Sequence, residues 1–316
     1  MKKALALSLA LVLCGLLAVF GLAPKSAMAM DAAIRVAGFA RGISTAPALI
    51  SHRSDKCSAV QAFGQAVSTQ EAREKESVER AVRVLRVDGE LEQLATELGD
   101  FWIPKRDYYA FIEELAEQKE DGYRMAGRVG PDDVVLDCGA NVGVVTRRAL
   151  LQGAAIVVAI DPGPSPLACL RRTFAREIAS GRVILAPKGV WDKDDVLPLT
   201  SSDRLASSAN SVALDRGLKG PSIELTTIDH LVADLKLTRV DFIKMDIEGA
   251  EPNALRGAAA TLTRFRPRLA ISLEHRPTDP DQLPALIHAL RPDYALACGP
   301  CTNIAGSVQP SVVYGN

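Results

Sequence analysis

The stretch at residues 134–143 reads VVLDCGANVG, an apolar run followed by a glycine-containing segment. Its apolar, β-branched start predicts a buried strand. Gly139 and Gly143 then allow a sharp turn, and a helix is expected near 142–151. A helix that starts after such a turn offers unpaired N–H groups, and the glycines let a ligand approach the main chain. The stretch therefore favours a site for a nucleotide-like ligand.

The same order of strand, turn and helix is repeated downstream. Further strands are predicted near 156–160, 183–186, 240–245 and 269–273, and further helices near 166–179, 252–263 and 281–290. Short apolar strands that alternate with helices are typical of an α/β protein whose mostly parallel sheet is covered on both faces. Ligands of such sheets bind beyond the carboxyl ends of the strands.

Two acidic residues flank the glycine turn. Asp137 directly precedes it, and Asp161 ends the next strand, close to the ~20-residue separation at which a carboxylate can accept hydrogen bonds from ribose hydroxyls. Asp161 could instead cap the following helix. A carboxylate repels phosphate, and Asn141 takes the second glycine position of the dinucleotide fingerprint. A cationic ligand is therefore favoured over a nicotinamide dinucleotide.

Several motifs together resemble the FkbM-type S-adenosylmethionine-dependent methyltransferases of the class I fold. They are the glycine turn, Asp161-Pro162, Thr227-Ile228-Asp229 and FIKMDIEGAE at residues 242–251. The resemblance covers roughly residues 100–316. It implies a Rossmann-like, mostly parallel seven-stranded sheet with helices on both faces, S-adenosylmethionine as methyl donor, and O-methylation of a hydroxyl on a sugar, polyketide or other small molecule. The expected donor contacts are Asp137, Gly139, Asn141, Gly143, Asp161 and Asp246.

Methyl transfer needs an acceptor oxygen held in line with the methyl group and a group that takes up its proton. Asp246 and Glu248 follow a predicted strand and are expected to orient or deprotonate the acceptor. Glu251 begins the next helix, where capping explains it equally well. His275 follows another strand and is a candidate general base, although a structural role competes. The resemblance supports His275, but Glu274 replaces the aromatic residue that commonly precedes it.

The cysteines do not indicate a disulfide scaffold or a metal site. Cys298 and Cys301 form a CxxC pair, which suits a local disulfide or a redox motif. No helix is predicted after the pair, so a hairpin turn is favoured. No metal site is predicted, because a second cysteine pair at ligand spacing is missing.

The first 65 residues differ from the rest. Residues 1–29 combine lysines, an apolar run and Ala-Met-Ala in the order of a secretory signal, with cleavage expected after Ala29. The run at 4–23 is also long enough for an uncleaved anchor and hence for membrane association. Export or anchoring is expected, whereas a start at Met28 or Met30 would leave the chain cytoplasmic. Residues 30–65 are predicted to form a flexible linker.

An N-terminal extension is predicted over residues 66–125, ahead of a methyltransferase domain at 126–316. Asp88-Gly89 lies between two β-rich runs and predicts a hairpin. A helix over 71–85 competes with it or precedes it. Apolar residues recur at helical spacing over 107–120, which predicts an amphipathic helix.

The overall charge limits the partners. The chain has 37 Lys and Arg against 38 Asp and Glu, a formal net charge of -1, which disfavours nucleic acid. The expected partner is a small molecule with a hydroxyl group, held by residues 192–221 and by the N-terminal region. Because the sequence specifies the acceptor side poorly, a non-catalytic S-adenosylmethionine- or nucleoside-binding module is the alternative function.

Overall fold

The structure is a computed structural model that describes residues 43–68, 70–119, 129–201, 209–304 and 306–316. One compact unit comprises Glu74–Pro300 and Pro310–Asn316, and the other comprises Met1–Arg73 and Cys301–Gln309. The predicted signal or anchor lies outside the described residues. No helix within the described ranges is long and apolar enough to cross a membrane.

Helices and strands are numbered separately, in chain order. The helices are α1 (Ala59–Val67), α2 (Gln70–Ala81), α3 (Tyr108–Lys119), α4 (Val144–Leu151), α5 (Pro164–Thr173), α6 (Ala175–Ala179), α7 (Ile228–Asp234), α8 (Glu251–Arg256), α9 (Ala259–Phe265) and α10 (Asp279–Leu290). The strands are β1 (Arg83–Asp88), β2 (Leu91–Thr96), β3 (Gly99–Pro104), β4 (Val134–Cys138), β5 (Ile156–Ile160), β6 (Val183–Ala186), β7 (Gly189–Val190), β8 (Asp195–Ser201), β9 (Leu218–Thr226), β10 (Phe242–Met245), β11 (Arg268–Ser272), β12 (Leu296–Cys298), β13 (Cys301–Ile304), β14 (Ser307–Pro310) and β15 (Val312–Gly315).

A seven-stranded sheet forms the centre of the larger unit, in the order β12-β15-β11-β10-β4-β5-β6. Adjacent strands from β11 to β6 are parallel, whereas β15 is antiparallel to both neighbours. Apolar, β-branched residues dominate these strands, as expected where a sheet is buried on both faces. The predicted Rossmann-like, mostly parallel seven-stranded α/β fold is confirmed.

Alternate residues of each strand belong to two different cores. In β4, Val135 packs in a cluster with residues of α3, α4 and α5. Leu136 packs in a second cluster with residues of α7, α8, α9 and α10. Successive side chains of a strand point to opposite faces, so helices cover the sheet on both sides. The open edge at the carboxyl ends of the strands is left for the site.

The extension before the sheet has a helix followed by a hairpin, so the two competing predictions are both realised. Helix α2 ends at Ala81, and β1 pairs antiparallel with β2, with Asp88 opposite Leu91. Gly89 supplies the positive φ of 59° that the two-residue turn requires. Strand β3 was not predicted, and it completes a three-stranded sheet.

Residues 30–65 were predicted to form a flexible linker, but their described part contains helical segments. Residues 43–51 are helical, and α1 begins after Ser58, whose hydroxyl oxygen accepts from the Gln61 N–H while the Gln61 side chain accepts from the Ser58 N–H. This capping box satisfies the first N–H groups of the helix. The preceding residue, Cys57, forms a disulfide with Cys301. The prediction missed both constraints because it relied on apolar periodicity alone.

The CxxC interpretation was also wrong. Cys298 is an exposed free thiol, whereas Cys301 is bonded to a cysteine 244 positions away. The segment between them does not form a hairpin, because β12 pairs with β15 and β13 pairs with β14. The pair is therefore neither a local disulfide nor a redox motif.

Candidate functional site

A cavity of about 230 Å³ opens where the parallel strands β4, β5 and β10 end. Five of the sequence-predicted site residues line it: Gly139, Asn141, Asp161, Asp246 and Glu248. Three other predicted residues, Asp137, Gly143 and His275, are not among the described residues that line it. The cavity therefore opens at the edge of the sheet where the sequence analysis expects a ligand.

The glycine turn after β4 needs its glycines for two different reasons. Gly139 has φ 78°, and a Cβ there would lie 1.9 Å from the main-chain oxygen of Asp246. Gly143 has φ 96°, and a Cβ there would lie 2.3 Å from the ring of Phe174. Gly139 thus allows β10 to approach the turn, whereas Gly143 allows α5 to pack beneath α4.

Asp161 fixes the turn from the neighbouring strand. Its two carboxylate oxygens accept the N–H of Asn141 at 2.9 Å and the N–H of Gly163 at 2.8 Å. Burial raises the pKa of Asp161 to about 6, although both N–H groups favour the charged form. Its place in the cavity wall remains compatible with the predicted ribose contact.

Asp137 has a different role from the predicted one. Its carboxylate is fully buried, accepts the hydroxyl of Thr146 at 2.6 Å and lies 3.5 Å from Nζ of Lys244. Lys244 also donates to the oxygen of Gly139 at 2.8 Å. Burial opposes the charge of Lys244, but Asp137, Asp246 and Glu114 outweigh burial and raise its pKa. Asp137 therefore supports the glycine turn through Lys244 and does not face the cavity.

Helix α3 supplies acidic residues that the sequence analysis missed. Glu113, Glu114 and Glu117 line the cavity, and Glu114 accepts from Nδ2 of Asn141 at 3.2 Å. Burial raises the pKa of Glu114 to about 7. Helical periodicity predicted the apolar face of α3 correctly. It gave no sign that the adjacent acidic face borders a cavity, because that depends on how the helix packs on the sheet.

The turn after β10 places the acidic residues of the DIEGAE motif. Glu248 and Gly249 both have positive φ, 56° and 89°, which turns the chain sharply. The Ile247 N–H donates to Glu251 at 2.8 Å, and the hydroxyl of Ser211 donates to the main-chain oxygen of Glu248 at 2.7 Å. The Glu248 carboxylate is paired with Arg216 at 2.5 Å. Capping was the other interpretation of Glu251. It accounts for Oε1, which accepts from the Ile247 N–H, but not for Oε2, which has no hydrogen-bond partner among the described residues.

His275 lies among three carboxylates. Its Nε2 is 3.3 Å from Asp246 and 3.5 Å from Glu248, and its Nδ1 is 3.0 Å from Glu251. Burial lowers the pKa of His275, but the carboxylates of Glu248, Glu251 and Asp246 outweigh it and raise the pKa to about 12. The three carboxylates therefore favour the protonated imidazole, which argues against His275 as the general base.

The region predicted to hold the acceptor contributes to the cavity through its described part. Asn210 and Val212 line the cavity, as does Leu199 of β8. Residues 202–208 lie outside the described residues. Lys188 and Gly189 complete the wall near β7.

The sequence matches a family model and a curated relative. The Methyltransferase FkbM domain family matches residues 137–295. The chain is 30% identical over 149 residues to the 2-O-methyltransferase NoeI of Sinorhizobium fredii, an alignment that covers 43% of the chain and 61% of NoeI.

Two solved structures are similar at low identity. One is a methyltransferase FkbM from Methylobacillus flagellatus, with 20% identity, a TM-score of 0.49, and coverage of 89% of this chain and 62% of the other. The second is an S-adenosylmethionine-dependent methyltransferase from Agrobacterium tumefaciens, with 10% identity, a TM-score of 0.45, and coverage of 73% and 70%. The chain thus spans about three fifths of the length of NoeI and of the M. flagellatus protein. Because the family match takes in half of the sequence, from the glycine turn to beyond His275, the chain belongs to the FkbM methyltransferase family.

Proposed function

We propose that the protein transfers the methyl group of S-adenosylmethionine to a hydroxyl oxygen of a small molecule such as a sugar or a polyketide. The observation that carries the proposal is the cavity at the carboxyl ends of β4, β5 and β10, lined by Gly139, Asn141, Asp161 and Asp246. Membership of the family supports methyl transfer, and the similarity to a 2-O-methyltransferase supports oxygen as the acceptor atom.

The residues of the cavity fit a cationic nucleoside donor. Oδ1 of Asn141 is buried and has no hydrogen-bond partner among the described residues, so a bound donor group would satisfy it. Gly139 keeps the wall free of a side chain at the turn, and Asp161 lies where a ribose would meet β5. The carboxyl group of Glu114 lies close to Asn141. When bound, S-adenosylmethionine supplies an electrophilic methyl group on a sulfonium.

The acceptor proton must leave as the new O–C bond forms. Asp246 and Glu248 line the cavity, so we assign them to contact the acceptor hydroxyl, with Asp246 taking its proton. Glu248 is partly neutralised by Arg216, which favours an orienting role. His275 contacts both carboxylates, so we assign it to position them.

A methyl-transfer assay tests this proposal. Protein incubated with S-adenosylmethionine labelled in the methyl group is presented with panels of sugars and polyketides that carry free hydroxyls. We expect label in a hydroxylated product. The His275→Ala variant should lower turnover while leaving the affinity for S-adenosylmethionine nearly unchanged, and His230→Ala is the control, since His230 is an exposed histidine paired with Asp194. Donor binding without turnover on any acceptor would instead support a binding module.

We also propose that the chain is exported or anchored through residues 4–23. The disulfide between Cys57 and Cys301 supports this, because disulfides persist in oxidising compartments. Cell fractionation combined with thiol alkylation tests the proposal. Protein found in the cytosolic fraction with both cysteines alkylated would contradict it.

A further inference from the structure

Three potential metal ligands meet at the cavity wall, which one of them lines. Asp246 follows β10, Glu251 is the first residue of α8, and His275 follows β11. Strands β10 and β11 are parallel neighbours, which brings their carboxyl ends together. One ligand atom from each of the three side chains lies within 4.8 Å of the other two.

One carboxylate oxygen in this cluster lacks a partner. Glu251 is fully buried, and its Oε1 accepts from the Ile247 N–H. Its Oε2 is buried and accepts no hydrogen bond from any described residue. A buried anionic oxygen without a partner is costly, so such an atom points to a missing ligand. Nδ1 of His275 is also buried without a hydrogen bond, although it lies 3.0 Å from Glu251.

The charges also favour a cation. Glu248 is paired with Arg216, and the charge of Asp246 also acts on Lys244, whereas Glu251 lies against the imidazole of His275. A divalent ion that displaces a proton from the imidazole would take the buried, unpartnered oxygen of Glu251 as a ligand.

We propose that Asp246, Glu251 and His275 bind a divalent transition-metal ion. Two carboxylate oxygens with one imidazole nitrogen suit Mn²⁺ and related ions, since carboxylates favour hard cations and imidazole favours the transition metals. Asp246 also lines the cavity, so the ion would lie beside the acceptor position. A role of the ion in orienting the acceptor oxygen rests on the proposed methyl transfer. Binding of the ion to the three side chains does not depend on that proposal.

Mn²⁺ titration tests the site without any activity measurement. The full-length protein is treated with EDTA, freed of chelator, and titrated with Mn²⁺ in the absence of S-adenosylmethionine, and free Mn²⁺ is followed by electron paramagnetic resonance. We expect one tight equivalent. Glu251→Gln and His275→Gln should each weaken binding by about tenfold or more. His230→Gln is the matched control and should bind as the wild type does.

A spectroscopic readout on the wild-type protein avoids dependence on folded variants. Pulsed electron paramagnetic resonance of the bound Mn²⁺ should show coupling to a histidine nitrogen. Absence of a tight equivalent, absence of nitrogen coupling, or equal loss in the His230→Gln control would overturn the proposal. Because S-adenosylmethionine binding is measured separately without metal, failure of the metal site does not imply failure of the proposed function.

Discussion

Replacing Lys244 by methionine tests whether the glycine turn depends on a buried ion pair. Lys244 is 3% exposed and Asp137 is completely buried, with Nζ 3.5 Å from the carboxylate. Methionine keeps the length and apolar stem of the side chain but removes the charge and the hydrogen bond to Gly139. Asp137 would then keep its hydrogen bond from the hydroxyl of Thr146 but lose the neighbouring cation.

The expected loss follows from this geometry. At 3.5 Å and an effective dielectric constant of about 20, the attraction between the two charges is roughly 5 kcal/mol. Part of this attraction offsets the free energy that is needed to bury the charge of Lys244. The methionine variant has no charge at this position, so this cost is absent from it. Breaking a buried pair by removing one partner costs about 3–5 kcal/mol, because the other charge is left uncompensated. We expect a loss of this size in the free energy of unfolding.

Urea unfolding followed by circular dichroism measures the loss. Lys193→Met is the matched control, because Lys193 pairs with Asp195 at the surface, and its stability should be nearly that of the wild type. Adding Asp137→Asn to Lys244→Met should restore at least about 1 kcal/mol, because the uncompensated carboxylate is gone. If Lys244→Met is as stable as the Lys193→Met control, the reasoning about the buried pair is refuted.

Three further substitutions probe the turn, the acidic helix and the disulfide. Gly139→Ala should destabilise the protein and abolish S-adenosylmethionine binding in calorimetry, whereas Gly181→Ala, which has the same φ of 78° but open space around its Cβ, should keep binding. The raised pKa of Glu114, about 7, means that the folded state binds its proton more tightly, so stability should fall as pH rises from about 4.5 through 7. Glu114→Gln should flatten that part of the pH profile of thermal unfolding, and an unchanged slope would count against the assignment. Cys57→Ser should cost about 2–5 kcal/mol in urea unfolding, whereas Cys298→Ser, at a free exposed thiol, should cost little; equal losses would contradict the pairing.

Local pattern was sufficient for the sheet and for part of the cavity wall. The strand runs and the glycine turn are local signals, and the ends of parallel strands meet at one edge, so Asp161 and Asp246 both lie in the cavity wall. Asp137 does not, because β4 continues to Cys138 and its side chain points into the packing beside the sheet.

Features that depend on distant parts of the chain could not be predicted from the sequence. The surroundings of His275 include carboxylates from the turn after β10, which is a different strand from the one that precedes His275. The contact of Glu114 with Asn141 depends on how α3 packs on the sheet. The partner of Cys301 is 244 positions away, so the local CxxC spacing was misleading. The metal proposal likewise combines residues from two strand ends and a helix start, which have no ligand spacing in sequence.

Calorimetric titration of S-adenosylmethionine and of its demethylated product measures whether the cavity at the glycine turn binds the donor. The wild-type chain should bind both at one site. Asp161→Asn should lose most of that affinity, whereas Asp194→Asn, at an exposed carboxylate paired with His230, should keep it. No binding by a folded wild-type protein, or equal binding by both variants, would contradict the account.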